Sequence, residues 1–326
     1  MKRIFILTAA VALLITALFS ALSFTRYHAP REFTESPRIT VIAPGTGARA
    51  MLRQLHQEGL VPAPWLMLLP MMVAVDPRSL KAGEYEIASG MSPADIFAKI
   101  ARGEILVHQI TIPEGFRVTQ IRALLLEEPL LTGALPETIP EGSIFPDTER
   151  FTRGEERKAV VERLQLRMQE KLGAAWESRA PDLPITTKEE ALILASLVEK
   201  ETGIAEERPR VAAVFINRLR AGMRLQSDPT VAYGVNLTRA DGTLRPLSTR
   251  DLQTDHLWNS YTRDGLPPTP IASPGLAAIE AVLNPITTDE YYFVATGDGG
   301  HRFARTLAEH NRNVAEYRRA LREQQE

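Results

Sequence analysis

The 326-residue chain contains no cysteine, and this absence excludes thiol nucleophiles, cysteine metal ligands and disulfides. It also lacks an excess of either charge. The 38 lysines and arginines stand against 40 aspartates and glutamates, so the formal net charge is -2. Composition therefore gives no reason to expect a nucleic-acid partner. With 44% hydrophobic residues, the chain is long enough for one large or two medium-sized domains.

Sequence patterns for metals and nucleotides are missing as well. His301 and His310 have no histidine four residues away, and no HExxH pattern occurs. The sequence thus predicts neither a metal site nor any other cofactor. Gly45 and Gly47 begin a turn but lack the Lys-Ser/Thr pair of a phosphate-binding loop, so an ordinary strand–turn–helix is expected there. His301 follows the strand-like YYFVAT, where we expect it to line a cleft or a turn.

The N-terminus carries the longest uncharged stretch, from Ile4 to Phe24. At ~1.5 Å per residue, these residues form a helix about 30 Å long, enough to cross a bilayer. Lys2 and Arg3 precede the stretch, which favours a cytoplasmic N-terminus (residues 1–3) and a periplasmic remainder. We expect residues 4–24 to be a single-pass anchor in the cell inner membrane. A cleaved signal peptide is the alternative, although its apolar region would be shorter, roughly 7–15 residues.

Beyond the anchor, the pattern predicts an α+β protein in two parts. Residues 25–37 are polar and read as a linker, and 127–154 are rich in proline and turns and read as a connecting segment. Between them, 38–126 form a small α+β subdomain, and 155–326 form a mainly helical domain with a few strands. The strands expected in the subdomain are 38–43, 82–87 and 107–115, and the helices are 45–59, 63–75, 92–103 and one from about 118.

The stretch ASLVEKETG, residues 195–203, places two glutamates in an otherwise apolar helix that begins at a Thr187/Glu190 capping box. At ~100° per residue, Glu199 shares a polar wedge with Ser196, whereas Glu201 lies about 160° away among leucines. The two carboxyls therefore face different surroundings. Glu199 is expected to be solvated or paired, and Glu201 lies on an apolar side.

An apolar setting at the C-terminal end of a helix raises the pKa of a carboxyl, because burial and the helix dipole both disfavour its charge. A carboxyl that stays protonated near neutral pH suits a general acid. The alternative is a structural role, in which Glu201 is buried and paired with Arg208 or Arg210. The pattern alone leaves both possibilities open.

The block ASLVEKETGIAEERPRVAAVFINRLRAGMRLQSDPTVAYG, residues 195–234, resembles the core of the endolytic murein transglycosylase (YceG-like) family. The likeness continues in FPDT (145–148), GLPPTPIASPG (265–275), YYFVATGDGGHRF (291–303) and EHN (309–311). The N-terminal anchor matches the family's layout, and 38–126 looks like its LysM-like subdomain. Two positions depart from the family's usual sequence: Trp258 replaces tyrosine, and Thr269 replaces glycine.

The resemblance implies a peptidoglycan lytic transglycosylase. Such an enzyme cleaves the β-1,4 bond between N-acetylmuramic acid and N-acetylglucosamine within glycan strands and leaves a 1,6-anhydromuramoyl end. One carboxyl suffices, because the sugar's own 6-hydroxyl attacks in place of water. The Glu-Thr pair places this role on Glu201, which would act as acid and then as base; Glu199 remains the other candidate.

Weaker candidates for substrate binding surround this block. Gln226 and Asp228 lie in RLQSDPT, although Asp228 could instead cap a helix before Pro229. Asn217 could contact an N-acetyl group, but a core hydrogen bond is the alternative. Asn259 and Tyr261 lie in WNSYT, where the tyrosine could stack on a sugar or simply pack.

Two other functions stay open at this point. One is an anchored glycan hydrolase with two carboxylates, in which Asp228 is the second acid. The other is a non-catalytic scaffold that binds glycan and cell-wall synthases. For the transglycosylase, the resemblance implies peptidoglycan glycan strands as substrate and penicillin-binding protein synthases as partners. It would then terminate nascent strands, held near the membrane by the linker and the Met/Leu-rich face near 65–75.

Overall fold

The structure is a computed structural model that describes residues 2–237, 245–297 and 299–323. The described α-helices are α1 Lys2–His28, α2 Ala48–Gln57, α3 Pro64–Ala74, α4 Pro93–Arg102, α5 Val118–Glu127, α6 Arg157–Glu177, α7 Lys188–Glu201, α8 Arg208–Arg220, α9 Asp228–Val235, α10 Thr249–Gln253, α11 Leu276–Leu283 and α12 Leu307–Glu323. The strands are β1 Arg38–Ile42, β2 Gly83–Ile87, β3 His108–Thr111, β4 Thr148–Phe151, β5 Tyr292–Ala295 and β6 His301–Ala304. This mixture of helices and strands agrees with the predicted α+β class.

The chain folds into two compact units whose boundary differs from the expected one. The first comprises Met1–His108 with Arg150–Gly154, and the second Gln109–Glu149 with Glu155–Glu326. The sequence assigned α5 to the small subdomain, but α5 belongs to the second unit. The reason is a tie to α6: the Arg157 guanidinium donates hydrogen bonds to the carbonyls of Leu125 (2.7 Å) and Glu128 (2.9 Å) at the end of α5.

In the first unit, the elements follow in the order β1, α2, α3, β2 and α4. Strands β1 and β2 pair antiparallel, with Arg38 opposite Ile87 and Ile42 opposite Gly83. The helix α4 begins at a Ser92–Asp95 capping box and is followed by Gly103 in a left-handed conformation. The apolar faces of α2 and α4 bury their leucines and isoleucines in one core with Tyr85 of β2.

The apolar N-terminal helix reaches further than expected. Among the described helices, α1 is the one long and apolar enough to cross a membrane. It ends at His28 rather than near Phe24, so the expected linker 25–37 begins inside a helix. Tyr27 is only 2% exposed and stacks on Phe97 of α4 at 6.0 Å, which explains the extension. The last turns of α1 are part of the core of the first unit.

The helix α3 is apolar on all sides, but only one side is covered. Met67 and Met71 are fully buried, whereas Trp65 is 64% and Val73 82% exposed. The covered side meets α1, where Ser23 Oγ donates to the Leu66 carbonyl. Trp65 stacks on Phe19 of α1 at 5.7 Å but stays mostly exposed. A helix that is hydrophobic all round normally lies in a protein core or a membrane.

The second unit is built around α7, which packs between α8 and α11. Its capping box forms as predicted, with Thr187 Oγ1 accepting from the Glu190 amide and Glu190 accepting from the Thr187 amide. The ladder β5–β6 is antiparallel, with Tyr292 opposite Ala304, and lies next to α12. Burial of Leu194, Leu197 and Val198 fixes the rotation of α7, and thereby the directions of the two glutamates.

Candidate active site

Glu201 is the last residue of α7, and its carboxyl meets the segment that leads into α9. Ser227 Oγ, only 1% exposed as a residue, donates a 2.5 Å hydrogen bond to Glu201 Oε1. The preceding residue, Gln226, has a left-handed φ of 50°, which turns the chain so that Ser227 faces α7. The contact thus joins positions 26 residues apart in sequence.

The surroundings of Glu201 favour the protonated acid. Burial raises the pKa of Glu201 to about 7; the Ser227 hydrogen bond opposes this rise, the Asp228 charge adds to it, and the Arg218 charge opposes it. Arg218 itself is tied by hydrogen bonds to the carbonyls of Leu225 (2.9 Å) and Tyr291 (2.6 Å). A carboxyl with such a pKa can both give and take a proton near neutral pH.

A group of buried hydroxyls holds Ser227 in place. The Ser227 amide donates to Ser260 Oγ (2.9 Å), Ser260 Oγ and Thr230 Oγ1 lie 2.8 Å apart, and Thr230 Oγ1 donates to the Ser227 carbonyl (2.7 Å). All three residues are buried. The Ser227 hydroxyl can donate to the Glu201 carboxylate and accept from the protonated acid, so it suits both states of a proton-cycling group.

Asp228 and Tyr261 form a bridge beside Glu201. Tyr261 Oη donates to Asp228 Oδ1 at 2.6 Å. Asp228 is the first residue of α9 and Ser227 stands at the N-cap position, so Asp228 does not have the capping role that was its alternative. Burial, the hydrogen bond to Asp228 and the Asp228 charge raise the pKa of Tyr261, which therefore stays neutral. Asp228 and Tyr261 line two different cavities.

The two cavities are similar in size. One, of about 330 Å³, is lined in part by Gln226, Tyr261 and Arg218. The other, of about 320 Å³, is lined in part by Asp228 and Tyr233. Gln226 Oε1 accepts from Arg218 Nη1 at 3.2 Å, and its side chain faces the first cavity. The hydrogen-bonded pair Asp228–Tyr261 thus has one member on each cavity. The Asp228 charge raises the pKa of Glu201, and the Glu201 charge raises the pKa of Tyr261.

Glu199 has different partners, as the helical rotation predicts. Glu199 Oε2 accepts from the Gly275 amide at 2.9 Å, and its Oε1 lies 3.6 Å from Arg208 Nη2. Arg208 also lies 3.6 Å from Glu114. The polar wedge is not solvated, since Ser196 is fully buried and its Oγ accepts from the Ile271 amide at 3.0 Å. Glu199 and Ser196 together fix the segment before α11.

The arginines considered as partners of Glu201 are used elsewhere. Arg208 contacts Glu199 and Glu114, and Arg210 forms a bidentate pair with Glu290. The salt bridge expected for a purely structural Glu201 is therefore absent from the described residues. Its charge is balanced only in part, by Arg218 at longer range.

Asn217 and Asn259 have structural partners. Asn217 Nδ2 donates to the carbonyls of Thr288 (2.8 Å) and Glu290 (3.0 Å), the core role that its sequence context allowed. Asn259 is fully buried; its Nδ2 donates to the Thr254 carbonyl (2.7 Å), and its Oδ1 accepts from the Tyr261 amide (2.8 Å). Asn259 therefore shapes the turn that presents Tyr261.

His301 lies at the start of β6 and is held by Glu207. Its Nδ1 is 2.7 Å from Glu207 Oε2, and its amide donates to Glu207 Oε1 at 2.9 Å. Thr202, which follows Glu201, donates to the same carboxylate at 3.3 Å. Among the described residues, no three or more His, Asp or Glu side chains form a group that could hold a metal. The His301–Glu207 pair steadies the turn after Glu201.

The two residues that depart from the family's usual sequence contact each other. Trp258 Nε1 donates to Thr269 Oγ1 at 3.0 Å. Neither of the two described non-glycine residues with positive φ is Thr269, so threonine fits here without a left-handed backbone. Sequence reasoning missed Ser227, Ser260 and Arg218. Ser227 lies in the quoted motif RLQSDPT, but nothing in the spacing points it at Glu201.

Comparison with known proteins shows the family of this chain. The profile of the YceG-like family matches residues 40–316. The chain is 30% identical over 268 residues to the endolytic murein transglycosylase of Bacillus subtilis (strain 168), covering 73% of each protein. It is 29% identical to that of Streptococcus pneumoniae (strain ATCC BAA-255 / R6) over 282 residues, or 73% of this chain and 51% of the relative. A 2.6 Å crystal structure of a YceG-like protein from Listeria monocytogenes aligns with a TM-score of 0.52 and 25% identity, covering 86% of this chain and 99% of that one.

Proposed function

Because the chain belongs to the YceG-like family, we propose that it is an endolytic peptidoglycan lytic transglycosylase that uses Glu201 as its acid and base. The names of the relatives support murein transglycosylase activity. The observation that carries the catalytic assignment is the position of the Glu201 carboxyl at the end of α7, against the Ser227 hydroxyl, where burial raises its pKa to about 7. Its neighbours hold it protonated near neutral pH without a paired cation.

The proposed reaction breaks the β-1,4 bond between N-acetylmuramic acid and N-acetylglucosamine. Protonated Glu201 donates its proton to the glycosidic oxygen as the bond to the anomeric carbon breaks. The 6-hydroxyl of the muramoyl residue attacks that carbon, and the Glu201 carboxylate accepts the hydroxyl proton. The products are a free 4-hydroxyl and a 1,6-anhydromuramoyl end, and Glu201 is again protonated. No water is consumed.

The first test uses the full-length chain in detergent with purified glycan strands, and mass spectrometry of the released muropeptides. We expect anhydromuramoyl ends from the wild type. Glu201→Gln keeps the shape of the side chain but cannot cycle a proton, and we expect its rate to fall by a factor of at least 10². Glu206→Gln, an exposed neighbour, is the matched control and should digest at the wild-type rate.

The outcome also separates the remaining assignments. Digestion by Glu201→Gln at the wild-type rate would contradict the proposal. Glu199→Gln tests the other glutamate: because Glu199 holds the Gly275 amide and Arg208, we expect lower thermal stability and residual catalysis from it. If Glu199→Gln loses all activity at unchanged stability while Glu201→Gln stays active, the acid is Glu199.

Hydrolysis by two carboxylates is the second candidate function, and Asp228 is the observation that favours it. This carboxylate is exposed, and its charge reaches Glu201. Against it, Asp228 Oδ1 is taken by the Tyr261 hydroxyl. Hydrolysis would leave reducing muramoyl ends and incorporate ¹⁸O from labelled water, whereas the lyase would leave unlabelled anhydro ends. The non-catalytic scaffold would release neither product.

We place the protein in the cell inner membrane as a single-pass protein, with α1 as the anchor, residues 1–3 cytoplasmic and the catalytic part periplasmic. The apolar helix α1 and its preceding basic pair support this topology. The order β1–α2–α3–β2 in the first unit supports a LysM-like fold for part of it. In this setting the enzyme would terminate nascent strands beside penicillin-binding protein synthases.

A further inference from the structure

The cavity of about 320 Å³ that is lined in part by Asp228 has an unusual set of walls. Its walls come from the residues just before and within α5, the end of α7, and α9. Four of the lining residues are apolar, namely Pro229, Ala232, Leu247 and Ile271. Two are cations, Arg117 and Lys200, and this pairing of like charges on one mainly apolar cavity requires an explanation.

Arg117 is buried but incompletely bonded. The residue is 6% exposed. Its Nη1 makes one long hydrogen bond of 3.4 Å to the Asn236 carbonyl, and its Nη2 is buried without a hydrogen-bond partner among the described residues. Leaving a buried donor without a partner destabilises the fold, and more so when the group is charged. A structural arginine would normally have all its donors occupied.

The acidic groups around Arg117 are already occupied. Glu141 feels the Arg117 charge, but its oxygens accept from the Val118 amide (2.8 Å) and the Tyr233 hydroxyl (3.2 Å). Asp228 is the one carboxylate among the lining residues, and its Oδ1 accepts from Tyr261 (2.6 Å). Neither makes a hydrogen bond to the guanidinium within the described part of the chain.

Lys200 adds the second positive charge. Its Nζ donates one hydrogen bond, of 3.2 Å, to the Gly115 carbonyl. Lys200 is exposed as a residue, but desolvation of its ammonium lowers its pKa; the Glu199 charge opposes this shift and the Arg117 charge adds to it. An anion in the cavity would relieve both effects, since it would accept from Arg117 Nη2 and offset the repulsion between the two cations.

We propose that this cavity binds a carboxylate of the peptide stem carried by the muramoyl residue at the cleaved bond. The inference rests on the proposed function, because it takes peptidoglycan as the substrate. In that polymer the sugars are neutral once the lactyl group is amidated by the stem, so the negative charge lies in the peptide. A guanidinium fork matches a carboxylate, and the apolar walls suit the alkyl side chains of a short peptide. The position beside Asp228 puts the stem next to Glu201.

The consequence is selectivity for strands that keep their stems. The test compares kcat/KM of the full-length protein in detergent on stem-bearing strands and on the same strands stripped by an amidase. We expect the wild type to prefer stem-bearing strands. Each of the variants Lys200→Gln and Arg117→Lys should reduce that preference about tenfold, because each loses one charge-assisted contact. Lys171→Gln, an exposed lysine on α6, is the matched control and should keep the wild-type ratio.

A binding measurement separates this inference from the catalytic proposal. In the inactive Glu201→Gln background, calorimetry with a disaccharide–tetrapeptide should give about tenfold weaker binding when Lys200→Gln is added, with the disaccharide lacking a peptide unaffected. Equal wild-type rates on both strands, with anhydro products formed, would overturn the carboxylate site and leave the proposed function standing. Failure of the wild type to cleave either strand would overturn both.

Discussion

At the scale of single residues, the state of Glu201 depends on opposing neighbours. Burial and the Asp228 charge disfavour its carboxylate, whereas Ser227 and Arg218 favour it. These effects together raise the pKa of Glu201 to about 7, from about 4.5 for a free glutamate carboxyl. At neutral pH, a carboxyl with this pKa is protonated in roughly half of the molecules. The protonated form can donate its proton in the cleavage step, and the carboxylate that results can accept a proton afterwards.

The raised pKa predicts a pH-dependent cost to the fold. The folded state holds a proton on Glu201 that the unfolded state loses above pH 4.5, so stability falls as the pH rises from about 4.5 to 7. Glu201→Gln removes this loss. We expect the variant to be more stable than the wild type at pH 8, by up to about 3 kcal/mol, and equal to it near pH 4.5.

Thermal unfolding of both proteins in the same detergent between pH 4.5 and 8 measures the difference. The exposed variant Glu206→Gln should show no such trend. A stability difference that stays constant across this range would mean that position 201 titrates like an ordinary surface glutamate, and the acid role would lose its physical basis.

Ser227 is expected to position Glu201 and to tune its pKa. Ser227→Ala removes the 2.5 Å hydrogen bond that opposes the rise in pKa. We expect kcat to fall about tenfold, since one hydrogen bond to a charged group is worth about 1.5–3 kcal/mol, and the alkaline limb of the pH–rate profile to move to higher pH. Ser227→Thr keeps the hydroxyl and should restore part of the rate.

Ser260→Ala is the comparison variant. It removes the hydrogen bonds of Ser260 to the Ser227 amide and to Thr230, but none to Glu201. It should lower stability without moving the alkaline limb. If Ser227→Ala leaves both kcat and the pH profile unchanged, the contact with Glu201 has no catalytic consequence.

At the scale of elements, helical periodicity predicted which side of a helix is buried, but not which distant residues its polar side chains contact. The rotation of α7 separated Glu199 from Glu201 because leucines at helical spacing decide which side is buried. The same spacing could not predict that Ser196 lies under the segment before α11, nor that Ser227 reaches Glu201. Both contacts join residues far apart in sequence and depend on loops whose course is set by tertiary packing.

The apolar helix α3 leads to a prediction about the membrane. Trp65 and Val73 lie on its uncovered side, and Trp65 stacks on Phe19 of the apolar helix α1. Because α1 is proposed to cross the bilayer, we expect this side of α3 to lie among lipid chains near the interface, where tryptophan is favoured. In liposomes with brominated acyl chains, the fluorescence of Trp65 should then be quenched.

The comparison is between the wild type and Trp65→Phe. The difference spectrum isolates Trp65 from Trp176 and Trp258, and should be blue-shifted and lost in brominated lipid. Trp258→Phe is the control, since Trp258 donates a hydrogen bond to Thr269 within the second unit, and its difference spectrum should not respond. A Trp65 signal that is unaffected by bromine would place α3 in water and leave its apolar side unexplained.

At the scale of the whole molecule, the sequence predicted an anchor, a small unit and a larger helical one, but misjudged how they join. A polar, proline-containing stretch after Phe24 reads as a linker, yet Tyr27 within it packs on Phe97. Just before it, Ser23 donates a hydrogen bond to the Leu66 carbonyl. The segment that follows is also tied down, since the Phe33 amide donates to Ser89 Oγ at 2.9 Å. The amino-acid composition of such a stretch shows that it is polar, but not which residues of the folded protein it contacts.

These contacts predict that α1 cannot be removed without harm to the first unit. A chain starting at residue 38 lacks Tyr27, and loss of a buried aromatic of this size costs roughly 3–5 kcal/mol. We expect hydrogen exchange to accelerate in β1 and β2 of that fragment, whereas amides of α7 keep their full-length protection, because the two units have separate cores. A chain starting at residue 19 retains Phe19, Ser23 and Tyr27 and serves as the matched control. Unchanged exchange in β1 and β2 of the shorter fragment would show that α1 only tethers the protein and contributes nothing to its fold.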